Sequence, residues 1–308
     1  MKRPIIGTSA LRVFWTAIKR SPVRKTLLFS IIFVGHLRAL TQLLLARQGS
    51  NLRWLVKTRP EIIGIVLKPY AAANWDAKTR IARIADHYRT VGEIGGVVDF
   101  PSDILIDVIQ LTPIDSRYRI TLDQARWLLP EGPLVISLWD GVDRIFHLGF
   151  CLSTENGRRV AYIGSIQGRV ERDIYNYKID ILNRYRRFTK AASGMRPRDF
   201  LVEVFKIFCK AIDVSEIRAV SNLNHPQRKN FDIKLSYDEI WTERGGCRTA
   251  DGFFILPVAA SRRTEEEIPA KKRAMYAKRY AMLDIVEAEL TATLRSSLDC
   301  SSAVFAEA

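Results

Sequence analysis

The stretch from residue 133 to residue 166, PLVISLWDGVDRIFHLGFCLSTENGRRVAYIGSI, decides the fold. It holds three runs rich in β-branched and aromatic residues: Pro133–Trp139, Ile145–Ser153 and Arg159–Ile166. Asp140-Gly141 and Asn156-Gly157 separate them. Asn-Gly between two such runs favours the tight hairpin turns that need positive φ at both central residues. Three strands joined in this way form an antiparallel meander. Upstream, Ile104–Leu111 and Tyr118–Ile120 read as two shorter strands.

Beyond Gln167-Gly168 the apolar spacing becomes helical. Ile174–Thr189 reads as one helix and Pro197–Ile212 as a second. Pro197 stands at or near the first helical position, where the N–H that proline lacks is not needed. A short strand at Glu216–Ser221, a polar loop over Asn222–Lys229 and a late strand at Phe253–Val258 follow. The last helix is expected from about Glu265 to Arg295, with Ile268, Met275, Leu283 and Val286 as its inner stripe. On the N-terminal side, Asp76–Val91 reads as a helix, with Ile81, Ile84, Ala85 and Tyr88 on one face and Asn74 or Asp76 as its cap. The expected class is α+β: an antiparallel or mixed central sheet with flanking helices, preceded by an N-terminal helical region. The order strand, strand, strand, helix, helix, strand from residue 133 resembles that of GNAT-type acyltransferases. There, a meander leads to a helix whose N-terminus receives the pyrophosphate of the cofactor.

Charge divides the chain differently. The net charge is +15 over 308 residues. Residues 1–60 hold 12 Lys or Arg and no acid, the first being Glu61, so the remainder is close to balance. The expected organisation is a basic helical segment over residues 1–60, an α+β domain over 61–295 and a flexible tail over 296–308. Within the basic segment, Arg12–Lys19, Thr26–Arg47 and Leu52–Lys57 read as helices. The apolar run Thr26–Val34 is about half the roughly 20 residues a spanning helix needs, and no small-residue cleavage site follows it. A basic amphipathic segment of this kind fits an anionic membrane surface or lipid. Leu37, Leu40, Leu44 and Leu45 would serve equally to dock it on the domain behind. The zinc-finger spacings and RNP-type aromatic motifs of specific nucleic-acid binders are absent, so specific nucleic-acid binding is not expected.

Cys151, Cys209, Cys247 and Cys300 are scattered and form no CxxC pair, which disfavours a metal site or a disulfide framework and fits a reducing cytoplasm. There is no HExxH, phosphate-binding P-loop, nucleophile elbow or dinucleotide fingerprint. Metalloprotease, NTPase, serine hydrolase and Rossmann dehydrogenase chemistry are therefore disfavoured. Three groups of residues remain. Gly194-Met195-Arg196-Pro197-Arg198 opens a helix, where unpaired N–H groups and the helix dipole favour phosphate, and Arg196 and Arg198 add charge. Gln167 and Gly168, at a strand end, allow close approach of a ligand. Asn222, Asn224 and His225 follow another strand end, a favoured ligand position in α/β sheets. His225 is a candidate acid or base, and Glu239 of Tyr237–Trp241 is the alternative to it for assisting an acceptor. His87 reads as a satisfied helix histidine, and the face on which His147 stands is open.

Six segments together carry a family resemblance: Arg80–Tyr88 (RIARIADHY), Tyr162–Gly168 (YIGSIQG), Thr189–Leu201 (TKAASGMRPRDFL), Ile217–His225 (IRAVSNLNH), Tyr237–Phe254 (YDEIWTERGGCRTADGFF) and Glu267–Asp284 (EIPAKKRAMYAKRYAMLD). In order and spacing they resemble VirK/YbjX proteins, also called DUF535, over about residues 60–290. One departure is Pro226 after His225, where the family has an aromatic or β-branched residue. The resemblance implies a bacterial protein, cytoplasmic or peripheral on the inner face of the cytoplasmic membrane, linked to virulence, envelope integrity and resistance to cationic antimicrobial peptides. It implies no mechanism. Two readings follow: an envelope-associated accessory protein, or a GNAT-like acyltransferase using an acyl-CoA or comparable phosphate-bearing donor.

Overall fold

A computed structural model describes residues 30, 33–168, 180–228, 235–259 and 262–306, with side chains as far as 298. The expected helix Arg12–Lys19 lies outside the described residues. Helix α1 (Leu37–Leu44) buries Leu40 and Leu43, so this part of the basic segment docks on the domain. Helix α2 (Asn51–Thr58) begins where Ser50 accepts from the Arg53 N–H, and a 3-10 turn over Pro60–Val66 buries four apolar side chains behind it. Helix α3 (Ala77–Ile94) is capped by Asp76, which accepts from the Thr79 N–H at 2.7 Å.

The sheet begins with β1 (Leu105–Gln110) and β2 (Tyr118–Asp123). The meander follows as β3 (Leu134–Asp140), β4 (Asp143–Glu155) and β5 (Arg158–Gly168). Asn156 and Gly157 take φ of 51° and 75°, the mirror-image turn that Asn-Gly favours. Helix α4 (Ile181–Ala191) and helix α5 (Pro197–Ala211) form the crossover to β6 (Val214–Val220). The expected start of α4 at Ile174 lies outside the described residues. A short helix α6 (Tyr237–Thr242) precedes β7 (Cys247–Arg248) and β8 (Phe253–Leu256). The last helix, α7 (Arg273–Ala306), starts eight residues later than Glu265 and continues past Arg295. Pro269 accounts for the late start, because the residue before a proline is disfavoured in α conformation.

Strand order is β1-β2-β3-β4-β5-β6-β8-β7, and the class is α+β with a mixed sheet. Among these neighbours β5 and β6 alone are parallel. Their register ends at Ile163↔Ala219, so Gly164–Gly168 continue without β6 beside them. The two faces of the sheet differ. Phe150 packs edge-on against Phe205 and Phe208 of α5, and Phe146 lies 5.9 Å from Tyr185 of α4. On the other face α3 crosses the far half of β4, where His87 Nδ1 accepts from the Leu152 N–H at 3.0 Å. Burial pushes His87 down to about 3, so it is a neutral core histidine.

Candidate functional site

The open end of the β5–β6 pair is where the sequence-derived residues gather. Beyond the last β6 contact, Ile166 has its N–H and carbonyl turned to the vacated edge. The Tyr237 hydroxyl fills that edge, accepting from the Ile166 N–H and donating to the Ile166 carbonyl, both at 3.2 Å. Tyr237 is brought there by α6, whose first turn is fixed by Ser236 Oγ accepting from the Glu239 N–H. Burial lifts the Tyr237 hydroxyl well above its ordinary range, so it stays protonated.

One residue further along, Gln167 Nε2 donates to Glu131 Oε2 at 3.0 Å. Glu131 is 5% exposed. Burial pushes its carboxyl up to about 7, against the opposing pull of the Ser165 hydroxyl and the Gln167 amide. An acid poised at this value exchanges protons near neutral pH. Gly168 lies against Tyr185 and Phe146, leaving no room for a Cβ.

Tyr185 and Phe146 also line a pocket of about 600 Å³ at the N-terminus of α5. Gly194, Arg196 and Arg198 line it as well, joined by Arg186 and Lys190 from α4 and by apolar Leu182, Pro197 and Leu235. Arg198 pairs with Asp199 at 3.1 Å and with Glu243 at 3.5 Å. Arg196, exposed at the cap position of α5, makes no ion pair among the described residues. Four cations beside an apolar wall suit a ligand with phosphates at one end and an apolar portion at the other.

The remaining expected residues are placed otherwise. Asn222 Oδ1 accepts from the Tyr237 N–H at 2.7 Å, so its amide holds the start of α6. Asn224 Nδ2 donates to the Asp251 carbonyl at 2.9 Å and its own carbonyl accepts from Ala73, stapling three loops together. His225 lies buried 4.8 Å from the Tyr237 ring, with Nδ1 accepting from the Gln227 N–H. Burial pushes it down to about 4, so it enters as a neutral imidazole beside Tyr237. Glu239 is exposed, two residues on from Tyr237 and hence on another side of α6. The structure does not bring it to Glu131.

Glu131 and Tyr237 were not singled out from sequence as site residues. The run Leu128-Leu129-Pro130-Glu131-Gly132 reads only as a turn. The pattern Ser236…Glu239 is a capping-box spacing, which marks Glu239 as a helix-start residue and could have turned attention to Tyr237 beside it.

Comparison with known proteins is consistent with the segments quoted above. An uncharacterized protein YbjX of Escherichia coli (strain K12) is 27% identical over 257 residues, covering 80% of this chain and 76% of that one. An uncharacterized protein of Haemophilus influenzae is 35% identical over 222 residues, covering 71% and 72% respectively. No solved structure matches. The family described as "Protein of unknown function (DUF535)" matches residues 19–292, which extends the likeness about sixty residues further toward the N-terminus than the first quoted segment. This chain belongs to the DUF535 family.

Proposed function

We propose that this protein is an acyltransferase that draws on an acyl-CoA or a comparable phosphate-bearing thioester. The observation that carries the proposal is the pocket in which Arg186, Lys190, Arg196 and Arg198 surround the N-terminus of α5, beside the open end of β5. The phosphates sit against the cations and the free N–H groups of the first helical turn. The apolar arm runs past Leu182 and Leu235 toward Gly168. Glu131 takes the proton from the acceptor hydroxyl or amine as its O or N attacks the acyl carbon. The C–S bond breaks, and the departing thiolate recovers that proton. Tyr237 acts as a positioning residue, holding the unpaired edge of β5 in place. A parallel strand pair that opens at its carboxyl ends, with a helical crossover, supports the GNAT-like reading.

Calorimetry with CoA and acetyl-CoA tests the proposal. Arg196→Ala is expected to weaken CoA binding about 10-fold, the scale of one charge-assisted contact, without altering stability. CoA that fails to bind the wild type, or binds both proteins equally, overturns it.

A second reading concerns location and rests on the 12 cations and no acids of residues 1–60. The segment holds the protein on anionic lipid at the inner face of the cytoplasmic membrane; the role in envelope integrity, virulence and resistance to cationic peptides is what the family resemblance implies. No described helix is long and apolar enough to cross a membrane. Seven of the cations lie in residues 1–28, each contributing about 1 kcal/mol near anionic lipid before screening. Deleting residues 1–28 is expected to abolish co-sedimentation with phosphatidylglycerol vesicles at low salt. Equal sedimentation of both proteins refutes the reading.

A further inference from the structure

The face of the sheet opposite α4 and α5 carries polar side chains that the donor pocket does not use. Cross-strand pairing sets Thr121, Ser137, His147 and Gln167 in one row across β2, β3, β4 and β5. The row ends at Gln167, which bonds Glu131. It therefore ends beside the Glu131 carboxyl, which packs over Gly149 on this same face.

Around this row, four buried polar atoms have no hydrogen-bond partner among the described residues: Asp123 Oδ1, Ser137 Oγ, Arg144 Nη1 and His147 Nε2. Ser137 is 0% and His147 5% exposed. Unpartnered buried polar atoms are costly, and four in one region call for a common explanation. Arg144 bonds Asp123 at 2.6 Å and lies 5.1 Å from the Trp139 ring, whose Nε1 donates to Thr121 at 2.9 Å. Trp127, 60% exposed, stands edge-on over His147 at 4.9 Å.

The chemistry of these atoms names the ligand. An anion would meet donors only, and a cation acceptors only. Here a guanidinium N–H offers a proton and a carboxylate oxygen accepts one. Ser137 can do either. So can His147, which burial pushes down to about 3 and keeps neutral. Arg144 and Asp123 cancel in charge. A hydroxyl group both donates and accepts, and the exposed Trp127 ring supplies flat apolar surface, Trp139 being covered by Arg119 and Arg144.

We infer that this face binds a neutral polyhydroxylated molecule, a sugar or sugar-like headgroup, as the acceptor of the transferred group. Its role as acceptor rests on the transferase reading; the binding itself does not. Saturation-transfer NMR on the full chain with glucose, glucuronate and glucosamine at equal concentration tests it. Signal is expected for glucose in preference to both charged analogues, with Trp127 fluorescence responding. Ser137→Ala should lose at least half of that signal while its unfolding midpoint stays unchanged, since Ser137 Oγ has no partner among the described residues. Trp127→Ala should lose the signal too. Preference for either charged analogue, or a glucose signal equal in wild type and both variants, overturns the inference. CoA binding measured on the same samples separates the two proposals, because neither variant touches the donor pocket.

Discussion

Glu131→Gln is expected to slow acyl transfer by about 100-fold or more, the scale of losing a general base, and at the same time to stabilise the protein at alkaline pH. The two effects share one cause. The carboxyl has an ordinary value of 4.5 and is pushed up to about 7 by burial. Below pH 4.5 it is protonated in the folded and unfolded chains alike and imposes no ionisation cost. Between 4.5 and 7 the unfolded chain ionises and the folded one does not, so stability falls as pH rises. Above 7 the full cost is present, at most about 3 kcal/mol. Glutamine mimics the protonated acid and can still accept from Gln167. In urea unfolding, the variant should match the wild type near pH 4.5 and exceed it by about 1–3 kcal/mol at pH 8. The wild-type rate should climb with pH and level off near 7, and the variant should lose that rise. A variant less stable than wild type at pH 8 would refute the buried-carboxylate account, whatever its rate.

The periodic elements were legible in sequence because their signals are local. The Asn156-Gly157 turn requires positive φ, and the three runs are rich in β-branched and aromatic residues, as strands buried on both faces are, so the meander was readable to within a few residues. Asp76 and Pro197 marked helix starts by backbone chemistry alone. What local pattern does not contain is the pairing of distant segments. The parallel contact of β5 with β6 depends on the crossover through α4 and α5. The gap it leaves beyond Ile163 exists only once both strands are in place. Tyr237 becomes a candidate through that gap, not through its neighbours in sequence.

The site was legible in the same uneven way. Arg196 and Arg198 were readable because a basic helix start is a sequence feature, and Gln167 and Gly168 because they end a strand. Asn222, Asn224 and Glu239 looked available for chemistry because polar residues in a loop look free. In the fold the two amides are spent on Tyr237 and Asp251, and Glu239 faces solvent. Glu131 was hidden for the converse reason. An acid in a turn looks solvated, and its displacement to about 7 comes from burial by other segments.

That burial depends on Gly132, and Gly132→Ala is expected to cost about 3 kcal/mol or more, among the larger effects of a single methyl group. Gly132 takes a φ of 152°, where side chains are strained. A Cβ there would stand 2.5 Å from the backbone N, C and O of Phe150. Backbone within β4 cannot rotate away as a side chain tip would. The turn cannot lift either, because the Pro130 carbonyl accepts from the Ala71 N–H at 2.8 Å and the Leu128 carbonyl accepts from Glu131 at 2.7 Å. Gly164 closes the other side: a Cβ on it would overlap the Glu131 carbonyl, so both glycines let the turn lie flat on β4 and β5. Urea unfolding at pH 5 checks the cost with Glu131 largely protonated, and Trp127→Ala, in the same loop but exposed, serves as the comparison at under about 1 kcal/mol. If Gly132→Ala folds as stably as wild type, the turn is not pressed on the sheet. Glu131 would then keep an ordinary carboxylate value, and the pH-dependent stability expected of the wild type would vanish with it.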